Sequence, residues 1–192
     1  MKYFLILSMV FGINTIRTTA QVSYTLKSHV IKIYGTSTLH DWSITANKAS
    51  ASGVFVLEGI KIKEIKSMRV AIEGPELKSD KKSKGMDQKI YEALNIIKCP
   101  TITYQFNQII SNTTDQNGNT LNTQGVFNIA GTNKDESLTV HTKINPDATI
   151  TCTGSKKIKM TDYKIKPPSA MLGAITSGDE VTVTFEMVLQ KN

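Results

Sequence analysis

The sequence predicts an all-β protein, namely a closed antiparallel β-barrel of about eight strands with one amphipathic helix covering it. Apolar and polar residues alternate along most of the chain, which is the period of a strand with one buried face. One segment departs from this pattern and shows the three- and four-residue spacing of a helix. Closure into a barrel follows because it leaves no strand edge exposed.

The alternation is clearest near the end of the chain. One face of that segment carries Val181, Val183, Phe185, Met187 and Leu189, and the other carries threonine, glutamate and glutamine. Further strands are predicted at 24–35, 42–57, 67–74, 101–106, 138–144 and 149–159. Asn117 and Gly118 predict a tight hairpin with positive φ between the strands 109–114 and 121–131.

The helical segment is "KGMDQKIYEALNIIKCP". Its apolar face is formed by Met86, Ile90, Ala93, Leu94 and Ile97. Asp87 in the first turn suits the positive end of a helix, and Pro100 prevents continuation. The spacing predicts one helix of about three turns.

The first 20 residues have the layout of a secretory signal peptide. Lys2 precedes an apolar run over 3–13, and small residues lead to Ala20. We expect cleavage before Gln21, a barrel domain at 21–192 and a periplasmic or secreted location. The run is too short to cross a bilayer, and no cysteine near the cleavage point could carry a lipid, so we expect a soluble mature protein.

The distribution of charge does not favour a nucleic-acid-binding function. The net charge falls from +7 to +5 when Lys2 and Arg17 are removed with the signal peptide. The remaining basic residues are spread singly, apart from the run 78–85, which no aromatic platform or phosphate-binding glycine motif accompanies. That run is typical of a solvated loop, and weak contact with an anionic membrane surface stays open.

The two cysteines, Cys99 and Cys152, leave their pairing undecided. They could form a disulfide in an oxidising compartment or remain two buried thiols, since sequence does not give the Cα distance. Neither has a histidine or second cysteine at zinc-ligand spacing.

The stretch "GTSTLHDWSI" brings together His40, Asp41 and Trp42, the only tryptophan. Neighbouring residues on a regular strand point to opposite faces, so His40 and Asp41 cannot form a catalytic dyad there. A metal site would need His40 to converge with His29 or His141, which nothing in the spacing requires. We therefore predict that His40 and Trp42 share a face at the barrel rim, while hydroxyl groups and Asp41 satisfy the backbone of a turn.

Three segments together resemble the YceI-like family of exported bacterial proteins. They are "GTSTLHDW" in the first third, "MDQKIYEALNIIKCPTITYQF" in the middle and "MTDYKIKPPSAMLGAITSGDEVTVTFEMVL" at the end. The resemblance covers nearly all of the mature chain, in the family's order. It implies a lipocalin-like barrel whose interior takes up a polyisoprenoid chain, as in isoprenoid quinones or polyprenyl carriers.

The residue supply suits such a ligand, because flexible methionines and aromatic rings adapt to a branched hydrocarbon tail. In the loop 166–173 two prolines stiffen the chain, and its apolar residues are expected under a lid or at a mouth. The predicted ligand-binding residues are His40, Trp42, Met68, Met86, Ile90, Tyr91, Leu94, Tyr104, Phe106, Phe127, Met160, Tyr163, Met171 and Leu172.

We therefore expect a non-enzymatic protein that binds, stores or transports an isoprenoid lipid in the bacterial envelope, with no cofactor and no metal. Two alternatives remain. One is a hydrolase-type enzyme that uses His40 and Asp41. The other is a structural or stress-related envelope protein whose barrel is filled by its own side chains. A homodimer also stays open.

Overall fold

The computed structural model describes residues 21–59 and 61–192 of the chain. The predicted signal peptide, residues 1–20, lies outside the described residues and stays a prediction. The described chain forms a closed antiparallel barrel of eight strands, which confirms the predicted all-β fold class.

The strands are β1 (Gln21–Ser37), β2 (Trp42–Ala46), β3 (Ala49–Glu58), β4 (Lys61–Glu73), β5 (Leu77–Ser79), β6 (Thr101–Asp115), β7 (Gly118–Ile129), β8 (Thr132–Ile144), β9 (Ile150–Lys159), β10 (Ser169–Ala170) and β11 (Ile175–Lys191). The α-helix α1 spans Lys84–Leu94, and short 3-10 helices span Gly74–Glu76, Met160–Tyr163 and Met171–Gly173. None of the helices in the described part of the chain is long and apolar enough to cross a membrane.

The barrel runs β1–β3–β4–β6–β7–β8–β9–β11 and closes where β11 pairs with β1. This last pairing extends from Tyr24↔Lys191 to Ser37↔Ser177. The short strands β2, β5 and β10 extend the sheet at one end, where β2 pairs with β1 and β5, and β10 pairs with β11. The barrel therefore has one end extended by extra elements and one end formed by hairpins.

The hairpin end is filled by its own side chains. The turns β3–β4, β6–β7 and β8–β9 lie at this end, together with the two ends of the described chain. Tyr24, Ile62, Leu121, Ile150 and Leu189 pack here and are among the most deeply buried side chains. These residues fill the barrel at this end, and the mouth lies at the other end.

Helix α1 covers the open end. Ser83 is its N-cap and accepts a hydrogen bond from the Met86 amide at 3.3 Å. Asn95 ends the helix in the left-handed conformation (φ 51°). Because the chain turns there, Ile97 is 98% exposed and does not extend the apolar face, contrary to the sequence prediction.

The predicted strand 42–57 is two strands. β2 ends at Ala46 and β3 begins at Ala49, with the Asn47 amide donating to the Glu76 carbonyl (3.0 Å) between them. The break allows the chain to change partners, since β2 pairs with β5 whereas β3 pairs with β4.

The β6–β7 hairpin turns one residue earlier than predicted. Asp115 pairs with Gly118, so the two turn residues are Gln116 and Asn117. The Asp115 carboxylate accepts from the Asn117 amide at 2.7 Å. Only Gly118 of this turn has a positive φ (135°), and a Cβ there would lie 2.0 Å from the Thr142 carbonyl oxygen.

Candidate functional site: an apolar cavity beneath the helix

A cavity of about 520 Å³ lies between α1 and the barrel mouth. The helix contributes one face, and strands β1, β2, β6, β9 and β11 contribute inward-facing isoleucines and valines. Its apolar wall includes Trp42, Ile44, Met86, Ile90, Ala93, Leu94, Met160, Ile165, Ile175 and Val181. The volume is within the range of small-molecule binding sites in proteins, about 300–1,000 Å³.

A second cavity of about 170 Å³ lies deeper in the barrel. The two cavities share the wall residues Ile33, Leu77, Ile102, Ile129, Ile158 and Val183. They are therefore adjacent along the barrel axis, with this ring of aliphatic side chains between them.

Two hydroxyl groups of the deep cavity, those of Tyr104 and Thr123, form a hydrogen bond with each other. The Thr123 hydroxyl donates to the Leu138 carbonyl (2.9 Å), so the Tyr104 hydroxyl is the donor in the 3.0 Å contact between Tyr104 and Thr123. Burial raises the pKa of Tyr104, which keeps this hydroxyl neutral. The deep wall therefore presents an uncharged surface at this level.

Tyr163 differs from Tyr104. Its side chain is 1% exposed, and its hydroxyl has no hydrogen-bond partner among the described residues. Burial strongly raises its pKa, and the negative charges of Glu136 and Asp162 raise it further. An unpaired buried hydroxyl costs stability, so this position stores a small unfavourable free energy in the mouth wall.

The barrel wall opens between β8 and β9. Their ladder runs from Ile144↔Ile150 to Val140↔Gly154 and stops, although both strands continue. Lys156, which lines the deep cavity, fills this gap. Its ammonium donates to the Ser137 carbonyl (2.9 Å) and to the Glu136 carboxylate (2.8 Å). A side-chain ion pair thus replaces missing backbone pairing.

Ser37, His40 and Asp41 contact one another through the backbone of a turn. The Ser37 hydroxyl donates to the His40 carbonyl (2.7 Å) and accepts from the His40 amide (3.2 Å). The His40 ring donates from Nδ1 to the Asp41 backbone carbonyl (2.9 Å). These contacts use backbone atoms, so the hydroxyl and the imidazole are not aligned as nucleophile and base.

The position of Trp42 explains why residue 35, at the start of "GTSTLHDWSI", is a glycine. Gly35 pairs with Trp42 across β1 and β2, and a Cβ on Gly35 would lie 2.1 Å from the indole ring. The indole Nε1 donates to the Thr36 carbonyl at 2.9 Å. Gly35 therefore lets the ring lie against β1, where it forms part of the mouth wall.

The histidines and cysteines occupy separate places. His29 contacts the Ala46 carbonyl (3.2 Å) and His141 the Thr120 hydroxyl (3.0 Å), and no three metal-ligating side chains converge within the described residues. Cys99 and Cys152 are free thiols. Burial raises the pKa of Cys152 to about 12, so this thiol stays protonated in the deep wall.

Solved structures share this architecture, although no family model and no curated protein matches the sequence. BcnA from Burkholderia cenocepacia superposes with a TM-score of 0.66 at 19% identity, over 83% of this chain and 95% of BcnA. A polyisoprenoid binding domain from Saccharophagus degradans, implicated in plant cell wall breakdown, gives 0.65 at 10% identity, over 89% of this chain and 99% of that domain. The YceI protein of Campylobacter jejuni gives 0.54 at 17% identity, over 100% of this chain and 99% of that protein.

The chain has the YceI-like fold. The fold that the sequence resemblance implied is therefore confirmed.

Most of the predicted ligand-binding residues lie on the walls of the YceI-like barrel. The mouth cavity is lined by His40, Trp42, Met86, Ile90, Leu94, Met160 and Tyr163. The deep cavity is lined by Met68, Tyr104, Phe106 and Phe127. Ligand contact by these residues stays a prediction.

Three predicted residues lie outside both walls. Tyr91 turns toward the short 3-10 helix Gly74–Glu76, where its hydroxyl donates to the Pro75 carbonyl (2.8 Å) and contacts the Lys78 ammonium. Met171 is 74% exposed and Leu172 is fully exposed. Left-handed backbone at both residues (φ 50° and 54°) directs this turn away from the cavity.

The sequence prediction favoured methionines and aromatic rings and so missed the β-branched wall. Ile33, Ile102, Ile158 and Val183 separate the two cavities of the YceI-like barrel. Their signal was present, because each occupies the inward phase of an alternating strand. Alternation also places Lys156 inward, in phase with Ile158, but a charged residue at that position was not predicted.

Proposed function

We propose that this chain is a non-enzymatic envelope protein that holds the hydrocarbon tail of an isoprenoid lipid inside its barrel. The apolar interior, with a mouth cavity of about 520 Å³ continued by a deeper one, carries the proposal. The similarity to a structure described as a polyisoprenoid binding domain supports the ligand class.

The free energy of such binding depends on tail length. Each buried methylene contributes about 0.8 kcal/mol, so ten buried carbons contribute roughly 8 kcal/mol before costs. Association and ordering cost about 4–15 kcal/mol, which a short tail does not offset. The second cavity therefore matters, because a tail that passes the aliphatic ring gains further buried area.

The location follows from the predicted export signal in residues 1–20. An exported protein that encloses an apolar tail can store the lipid or carry it through water between membranes. No cofactor or metal belongs to this function, because binding of a tail forms and breaks no covalent bond.

The hydrolase alternative finds less support in the geometry. His40 contacts the Asp41 backbone carbonyl, and Ser37 serves the backbone of its own turn. The filled-barrel alternative is opposed by the volume of the mouth cavity. Binding is thus the function that the described arrangement supports best.

A cavity-filling variant tests the proposal. Ala93 lines the mouth cavity from α1, so Ala93→Trp should occupy the space of the tail and lower the lipid recovered per chain by about tenfold. Gln88→Trp places the same side chain on the exposed face of α1 and serves as the matched control. Organic extraction followed by mass spectrometry measures the lipid, and circular dichroism checks the fold.

The two variants separate the alternatives. Loss of an isoprenoid lipid from Ala93→Trp alone supports the proposal. Equal lipid content in both variants would show that the lipid lies outside the cavity. If the parent protein also contains no lipid, the result would favour the alternative in which the barrel is filled by its own side chains.

A further inference from the structure

Exposed apolar side chains gather at the rim of the mouth. Leu39, in the β1–β2 turn, is 64% exposed, Met171 is 74% exposed and Leu172 is fully exposed. None of the three lines either of the two cavities described above.

Hydrogen bonds join the two turns that carry these residues into one rim. The Thr38 amide donates to the Thr176 carbonyl (3.0 Å), and the Thr176 amide donates to the Thr38 hydroxyl (3.2 Å). That hydroxyl also donates to the Ala174 carbonyl (3.3 Å), and the Ala174 amide closes the turn onto the Met171 carbonyl (3.1 Å). Leu39, Met171 and Leu172 therefore belong to one connected surface, hereafter the apolar rim.

Part of the apolar rim has left-handed backbone. Met171 and Leu172 have φ of 50° and 54°, which side chains other than glycine rarely adopt. This backbone directs two large apolar groups into solvent and fills no internal space. Exposed apolar side chains held on such backbone are the observation from which an interaction surface can be inferred.

The rim is continuous with the cavity opening, and a lysine of α1 lines that opening. Ser37 and His40 on one turn, and Ser169 and Ala170 on the other, line the mouth cavity next to the exposed apolar residues. Lys89 lines the mouth from α1, Lys84 begins that helix and Lys166 precedes Pro167 and Pro168.

Acidic groups also lie near the rim. Asp41 lies on the Leu39 turn, and Glu92 lies 3.5 Å from Lys89 in a pair whose two side chains are about half exposed. Solvent screens such a pair, so Lys89 remains available to a phosphate.

We propose that the apolar rim docks on an anionic lipid bilayer, with Leu39, Met171 and Leu172 entering the interface and the mouth facing the membrane. Apolar side chains flanked by lysines are the combination that binds anionic membrane surfaces. A tail leaving the bilayer in this orientation enters the cavity without crossing water. The inference goes beyond the proposed function, since vesicle binding is measured separately from lipid content.

Vesicle co-sedimentation of the chain 21–192 tests the docking. The parent protein should bind vesicles of phosphatidylcholine with phosphatidylglycerol more tightly than vesicles of phosphatidylcholine alone, and added salt should weaken the difference. The double variant Met171→Ser, Leu172→Ser should bind the anionic vesicles about tenfold less tightly. Ile110→Ser removes an exposed apolar residue from β6, away from the mouth, and should bind like the parent.

Several results would overturn the inference. The first is that the parent protein does not bind vesicles. The second is that the double variant binds them as tightly as the parent does. The third is that the parent protein is a dimer in sedimentation analysis and the double variant is a monomer. The last result would make the apolar rim a contact between two copies of the chain. Vesicle binding by a parent protein that contains no lipid would support docking and contradict only the proposed function.

Discussion

Tyr163 departs from ordinary packing, because its buried hydroxyl has no hydrogen-bond partner among the described residues. It lies in the mouth wall, nine-tenths or more of its side chain is buried, and no described residue accepts its proton. Tyr104 on the deep wall has the same chemistry but donates to Thr123. The pair allows a direct comparison of a satisfied and an unsatisfied buried hydroxyl.

We predict that Tyr163→Phe leaves the lipid-extracted protein as stable as the parent, or more stable by up to about 1 kcal/mol. Removal of an unpaired hydroxyl relieves its desolvation cost. Tyr104→Phe should instead lose about 1 kcal/mol, because Thr123 loses its donor. Urea unfolding at neutral pH measures both, and an equal loss in the two variants would mean that the Tyr163 hydroxyl has a partner.

The positions of single residues could be predicted from the sequence where the type of side chain restricts its surroundings. Trp42 was predicted at the rim and lies in the mouth wall, against Gly35. Met171 and Leu172 were predicted near a mouth, but their exposure depends on left-handed backbone. No residue type in "SAMLGA" other than the glycine signals that conformation.

At the scale of elements, the cover of the mouth depends on Asp80. This carboxylate, in the turn after β5, accepts from the hydroxyls of Thr45 (2.6 Å) and Ser43 (2.7 Å) and from the Lys32 ammonium (3.1 Å). It therefore ties the segment that leads into α1 to strands β1 and β2. These contacts, the one with Thr45 foremost, hold the pKa of Asp80 below its usual value of 3.8.

The lowered pKa of Asp80 determines how the stability of the folded protein changes with pH. The stabilisation from Asp80 is fully present above the unfolded-state pKa of 3.8 and is lost as the pH falls through the lower folded-state pKa. We predict that Asp80→Asn is less stable than the parent by about 1–2 kcal/mol at neutral pH. The difference should shrink as the pH falls below 3.8.

Denaturant unfolding at neutral and acidic pH measures this difference. Asp135→Asn, on the outer face of β8, removes an exposed carboxylate and serves as the control, with little change expected at either pH. A stability difference for Asp80→Asn that stays constant through the acidic range would contradict the assignment of these hydrogen bonds to the charged carboxylate.

Element-level prediction succeeded for regular segments and failed where pairing changes. The alternation of Val181, Val183 and Phe185 is enough to predict β11, since one face is buried along its length. The split at Asn47 was not predicted, because alternation does not reveal that β2 and β3 have different partners. Ile97 was misplaced because Asn95 ends the helix before the apolar spacing does.

For the whole molecule, the fold was predictable because many strands with the same period leave few closed arrangements. The cavity was not predictable in the same way. Its volume depends on how inward side chains meet across the barrel, and on the gap that Lys156 and Glu136 occupy between β8 and β9. Periodicity gives the direction of a side chain but not the space that it leaves.

The proposed function requires that the barrel of this YceI-like fold encloses an isoprenoid tail. Native mass spectrometry of the chain purified from its own host, followed by organic extraction of the same sample, tests this most directly. We predict a species heavier than the mature chain by the mass of one lipid, and an extract whose fragments show the repeating unit of an isoprenoid. A protein that is always found at the mass of the chain alone, with no isoprenoid in the extract, would contradict the account.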